Sequence, residues 1–162
     1  MSGARNLHNI ISMNIAGLLH ARLRGKPCSA FNSDTLVRIR RAAGDSLHYP
    51  DAFVVCQPNS QDVSYQERPV VLFEVISEST RRTDETEKKE DYLSLPSLQV
   101  YALVEQESAA VVLYRWRGAQ FEVEAYEGLD TTILLPEIET SLLLRDSYER
   151  VVFSNDDRLP DR

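Results

Sequence analysis

The segment Val70-Val71-Leu72-Phe73-Glu74-Val75-Ile76, "VVLFEVI", decides how this chain is read. Six of its seven residues are apolar, and most are β-branched or aromatic. That is the composition of a strand buried on both faces. An ionisable carboxylate nevertheless sits inside it. Such a group is costly to bury unless it is paired, protonated or bound to a cation, so the surroundings of Glu74 are the question the rest of the sequence has to answer.

Working outward, a loop-rich stretch "QPNSQDVSYQERP" (Gln57–Pro69) precedes this strand, and before it lies a second apolar strand, Ala52–Cys56, entered through Pro50-Asp51. Further upstream, 35–41 alternates Val37 and Ile39 with Leu36, Arg38 and Arg40, a period of two with one apolar and one mostly basic face. A short extended segment is expected over 28–32. Residues 6–24 read as an amphipathic helix, with Leu7, Ile11, Ile15, Leu18 and Leu19 on one stripe and Gly25 and Pro27 ending it. Downstream, "SEST" (Ser77–Thr80) breaks the strand, and a helix over about 83–94 follows, with Thr83 as its N-cap. Strands are expected at about 98–104, 110–116 and 120–126, then a short helix or strand around Leu142–Val151. A helix between the Glu74 strand and the 98–104 strand favours parallel pairing of the two. The expected architecture is α/β, a mixed central β-sheet flanked by helices, in one domain over 1–153 with a polar, frayed tail, "SNDDRLPDR", over 154–162.

With 18 Lys and Arg against 25 Asp and Glu, the net charge is −7, which argues against a large nonspecific nucleic-acid surface but leaves room for a local basic rim. The spacing of Cys28 and Cys56 fits neither a disulfide framework nor a zinc motif, so both read as small core residues. The absence of a membrane-length apolar run and of an export signal gives a cytoplasmic expectation with no membrane partner. No strand leads into a Gly-rich phosphate loop, which argues against a dinucleotide or nucleoside-triphosphate fold.

If the strands carrying Asp51 and Glu74 are neighbours, their carboxylates approach within a few ångströms, and a hard divalent cation, Mg²⁺ or Mn²⁺, would relieve their repulsion. The plainer readings are a solvated turn role for Asp51 and pairing of Glu74 with Arg38 or Arg40. Asp84, Lys88 and Tyr92 recur at intervals of four and share a helical face, either as part of an exposed ion-pair ladder or leaning over the same cleft. His8 reads as a boundary histidine of the first helix. Arg81 and Arg82 could hold a phosphate or be a solvated pair, and Trp116 reads as a hairpin aromatic covering the sheet. His20 and His48 fall in no usable pattern.

Together, Pro50-Asp51, "FEVIS" (Phe73–Ser77) and "YLSLPSLQVYALV" (Tyr92–Val104), with "YPDAFVVC" (Tyr49–Cys56), resemble the Uma-two family of restriction-endonuclease-like proteins in the PD-(D/E)xK nuclease superfamily. The resemblance runs from about Asn6 to about Phe153. It implies a restriction-endonuclease-like core and a metal-dependent nuclease acting on phosphodiester bonds, in DNA, with Mg²⁺ or Mn²⁺ as cofactor. A catalytically silent module for oligomerisation or partner binding is the alternative. By position, Asp51 and Glu74 would be metal ligands, with the backbone carbonyl of Val75 as a third. The superfamily's usual lysine position falls on Ile76, a departure, and Lys88 from the following helix takes its place, supported by Asp84 and Tyr92, with His8 bordering the site. Relatives usually carry a strand or hairpin before the first helix, whereas this chain starts near that helix. A homodimer is expected on symmetry grounds alone.

Overall fold

The computed structural model describes residues 5–153, without the side chains of Thr83 and Asp84; the tail over 154–162 lies outside the described residues. The chain begins with α1 (Asn6–Arg22), runs through β1 (Ser29–Asn32), β2 (Leu36–Ile39), β3 (Ser46–His48), β4 (Ala52–Val55) and β5 (Tyr65–Gln66), and reaches β6 (Pro69–Ile76). It continues through α2 (Arg81–Glu85), α3 (Glu87–Leu93), β7 (Val100–Glu105), β8 (Ala110–Trp116) and β9 (Phe121–Glu127), and closes with β10 (Thr132–Leu135), β11 (Thr140–Leu143) and α4 (Leu144–Ser147).

Six of these strands form the main sheet in the order β1-β4-β6-β7-β8-β9. β6 and β7 pair in parallel, as the intervening helices require, and the other neighbours pair antiparallel. β6 is therefore central, which accounts for its near-continuous apolar composition. Because side chains alternate along a strand, β6 serves two cores. Val71, Phe73 and Val75 pack with Ile11, Ile15 and Leu19 of α1. Leu72 and Ile76 pack on the opposite face with Tyr92, Leu95 and Leu98. Burying each large aliphatic side chain at these interfaces contributes roughly 1.5–3 kcal/mol. Glu74 belongs by parity to the second face, between Leu72 and Ile76.

A small sheet ordered β3-β2-β5 covers part of that second face, inserting Val37 and Ile39 into its core. β3 and β5 were not anticipated from sequence, nor was β10, which pairs with β11. β3 and β5 span three and two residues, too few to impose a period of two on a polar stretch.

The helical segment after β6 also departs from expectation. It starts at Arg81 with Thr80 in the N-cap position, so Thr83 lies inside α2, and it breaks at Thr86 (φ −121°, ψ −83°) before resuming as α3. Asp84 and Lys88 therefore lie on separate helices. The closing segment is both strand and helix, β11 followed by α4.

Cys28 and Cys56 are not separate core thiols. They form a disulfide across the β1–β4 pair, one step beyond the Ser29↔Val55 register. Linear spacing hid this, because the chain between them, a separation of 28 in sequence, folds back through the small sheet to bring both together. The bonded pair also withdraws unpaired thiols as support for a reducing compartment. Reduction, or Cys28→Ser with Cys56→Ser, is expected to lower stability by about 2–4 kcal/mol. In thermal melts the double variant should be indifferent to reductant and the oxidised wild type sensitive to it. Among the described residues, no helix is long and apolar enough to cross a membrane.

Candidate functional site

The buried glutamate is held by the helix that follows its strand. Tyr92 Oη donates to Glu74 Oε1 at 2.9 Å, and Lys88 Nζ lies 3.6 Å from the same oxygen. The Glu74 side chain is 3% exposed and Lys88 24%, so the lysine reaches inward while keeping a path to solvent. Both partners come from α3, four residues apart, which places them on one helical face. The pairing of Glu74 with Arg38 or Arg40 does not occur. Arg38 pairs with Asp45 and Arg40 with Glu67, on the outer side of the small sheet.

Asp51 sits where β4 begins. The Ala52↔Phe73 register places it opposite Glu74, one step along the antiparallel pair. Its Oδ2 accepts the Val75 backbone N–H at 2.7 Å and His8 Nε2–H, from α1, at 3.2 Å. Asp51 is therefore no merely solvated turn residue; helix and strand fix its orientation. The N–H and C=O of one strand residue point to the same side, so the Val75 carbonyl faces the edge that Asp51 occupies. Of the residues singled out in the sequence, the fold gathers Asp51, Glu74, Val75, Lys88, Tyr92 and His8 at the end of the β4–β6 pair. The side chain of Asp84 lies outside the described residues.

The electrostatics tie the two acids together. Burial, followed by the charge of Glu74 and the hydrogen bond to it, holds the Tyr92 hydroxyl well above tyrosine's ordinary value, and the charge of Asp51 acts in the same direction. One hydroxyl thus feels both carboxylates. A tyrosine raised in the folded state supports stability fully below its unfolded value of about 10 and loses that support as pH rises through the folded value. Wild-type stability should therefore fall above about pH 10, and denaturant melts of Tyr92→Phe should show a flatter alkaline limb.

A second network, not found in the sequence, braces this one. Asp91 accepts His48 Nε2–H at 2.5 Å and is paired with Arg41. The His48 ring also meets Tyr92 edge-on, with centroids 5.3 Å apart. β3 is thereby clamped to α3, the helix that presents Lys88 and Tyr92. His48 escaped notice because its partner is 43 residues away. Arg81 is not free to hold a phosphate: Glu105 binds it through both terminal nitrogens and Glu85 adds a third contact. Trp116 does cover the hairpin, edge-on to Phe121 at 5.2 Å.

A cleft of about 920 Å³ opens next to His8, bordered by Ile76, by Arg5 and Arg81 and by the acids Glu78, Glu105 and Glu107. Among the described residues, no three of His, Cys, Asp and Glu cluster as a dedicated metal cage would. The donors at hand are the carboxylates of Asp51 and Glu74, at facing positions of the β4–β6 pair, and the backbone carbonyl of the neighbouring Val75. That all-oxygen set suits a hard cation such as Mg²⁺, which usually keeps several waters and takes only one or two protein carboxylates.

A mixed sheet flanked by helices, with an acid opening one strand and another inside its neighbour, defines the restriction-endonuclease-like class of nuclease folds. Residues 1–145 match the family Uma2, described as "Putative restriction endonuclease", and the chain belongs to that family. Two proteins of Synechocystis sp. are similar: "Uncharacterized protein slr1290", 32% identical over 118 residues, and "Uncharacterized protein sll1609", 31% identical over 109. These matches cover 70% and 65% of this chain, and the chain spans only 60% of the length of each relative. A crystal structure from Anabaena variabilis, titled a putative nuclease belonging to DUF820, superposes with a TM-score of 0.74 at 16% identity, covering 92% of this chain and 84% of that one. At that identity the likeness speaks to the fold alone.

Proposed function

We propose that this protein is a metal-dependent nuclease that hydrolyses phosphodiester bonds in DNA, with Mg²⁺ or Mn²⁺ held by Asp51, Glu74 and the Val75 carbonyl. One observation carries the reading: a glutamate buried in an apolar central strand faces a lysine and a tyrosine, opposite an aspartate whose own orientation is fixed by two hydrogen bonds. Nothing about packing calls for such a group there, and an apolar residue would serve the strand better.

The cation would neutralise charge developing on the scissile phosphate and make a nearby water more acidic. The protein's own groups do the rest. Tyr92 fixes one oxygen of Glu74, and His8 and the Val75 amide fix Asp51, so the donors need little reorganisation. Lys88 puts a positive charge at the mouth of the site, where it can orient a water or stabilise a phosphoryl oxygen. The cleft reaches the site at His8, the partner of Asp51, and has a rim of mixed charge.

The second reading, a catalytically silent nuclease-fold module, is favoured by the sparse donor set of two carboxylates without a third. Plasmid and single-stranded DNA incubated with Mg²⁺ or Mn²⁺ separate the two. The nuclease reading expects cutting by the wild type that is lost in Asp51→Ala, Glu74→Ala and Lys88→Ala. No cutting by the wild type, or cutting that survives all three substitutions, rules against it. Two-strand cutting would further call for two sites, and a homodimer by sedimentation would agree with it.

A further inference from the structure

We propose that the cleft next to His8 receives one unpaired base of the substrate strand, and that Gln106 selects it, favouring a base with an exocyclic amino group over thymine. The inference rests on the nuclease reading for the identity of the substrate, though its own binding test does not depend on cleavage.

The cleft lies where the parallel strands β6 and β7 end together, at the Ile76↔Glu105 register. The carboxyl ends of parallel strands are where open α/β sheets seat their ligands. Ile76 directly follows Val75, and His8 bonds Asp51, so the cleft joins the site through two of its lining residues.

One lining residue is out of keeping with its surroundings. Gln106 follows β7 and is only 3% exposed, yet its Nε2 is buried with no hydrogen-bond partner. Buried amides are nearly always paired. One left open costs free energy, which an acceptor brought into the cleft would return. A small turn of the side chain presents the N–H to such an acceptor.

The charges indicate which part of a nucleotide this acceptor belongs to. Glu78, Glu105 and Glu107 border the cleft against Arg5 and Arg81, and Arg81 is already held by Glu105 and Glu85. A phosphate, which draws on unpaired cations, gains nothing there. A base is neutral and carries donors and acceptors on one edge. Cytosine offers its ring nitrogen and carbonyl to the Gln106 amide, and its amino group to a carboxylate, the contacts by which such side chains read bases. Thymine places a carbonyl oxygen where that amino group stands, against the acidic rim, and is disfavoured by repulsion. An unpaired base reaches a pocket of this kind without the cost of leaving a duplex.

The test is fluorescence anisotropy with the full chain and labelled oligo(dC) and oligo(dT) of about 15 nucleotides, at low salt, slightly alkaline pH and without divalent metal. The wild type is expected to bind oligo(dC) about tenfold more tightly than oligo(dT). Gln106→Leu should bind both alike. Glu78→Ala with Glu107→Ala, two exposed positions, should narrow the gap by admitting oligo(dT). A merely structural Gln106 would alter melting and leave the ratio unchanged. If the wild type binds neither oligonucleotide or binds both alike, or if Gln106→Leu keeps the full preference, the pocket is refuted. Should Gln106→Leu fail to fold, an unchanged ratio in the double glutamate variant refutes it instead. Selection that vanishes in Gln106→Leu, in a protein that cuts no DNA with Mg²⁺, supports the pocket and overturns the nuclease reading. Cutting without base selection gives the reverse result.

Discussion

In a plasmid-cleavage assay with Mg²⁺, Glu74→Gln is expected to lose activity by a factor of about 10²–10³ or more, with little change in fold. The substitution keeps size and an acceptor for Tyr92 but removes the charge that would hold a cation. A sharper result is expected from stability. Glu74 and Tyr92 form a polar pair inside an otherwise apolar cluster, and such pairs often cost more in desolvation than they return. Glu74→Leu combined with Tyr92→Phe removes the hydrogen-bonded pair together, while Lys88 can turn to water. This double variant should be inactive yet more stable than the wild type by about 1–3 kcal/mol in urea melts. A variant both inactive and markedly destabilised would indicate that Glu74 is retained for the fold.

The largest loss of stability is expected at Arg115, on the far side of the sheet. Its side chain is only 5% exposed and pairs with Glu124 and Glu137. It also donates to the Leu134 carbonyl at 2.8 Å, so it joins β8 and β9 to the turn after β10. Burial works against its charge, but hydrogen bonds from the guanidinium to Glu137 and Glu124 prevail and raise its value. Glu137 already has one buried oxygen without a hydrogen bond, so truncating the arginine leaves a carboxylate with no compensation. Arg115→Ala should cost about 3–5 kcal/mol, a fall in Tm of roughly 10 °C for a domain of this size. Arg117→Ala, two residues on and half exposed, should cost less than about 1 kcal/mol.

These two residues show how unevenly the molecule could be read from its sequence. Glu74 stood out because a charge inside an apolar run contradicts its surroundings locally, and Lys88 and Tyr92 followed from helical spacing. The parallel β6–β7 pair followed from the helices between the strands. Arg115 gave no such signal: it sits at the end of an alternating strand where an exposed arginine is ordinary, and only the fold brings Glu137 to it. The same holds for Cys28 with Cys56 and for His48 with Asp91, pairs made by strands folding back over long separations. Residues whose role is set by near neighbours were legible; those set by distant partners were not. The break at Thr86 falls between these cases, since its flanking residues are good helix formers and local preference alone would continue the helix.

The account depends on a divalent cation bridging Asp51 and Glu74. Crystals of the protein soaked in Mn²⁺ and measured for anomalous scattering test this directly. A single peak in contact with both carboxylates and the Val75 carbonyl, absent from Glu74→Gln crystals, is the predicted result. A map with no peak at that position, and Glu74 still bonded to Tyr92 and Lys88, would contradict it.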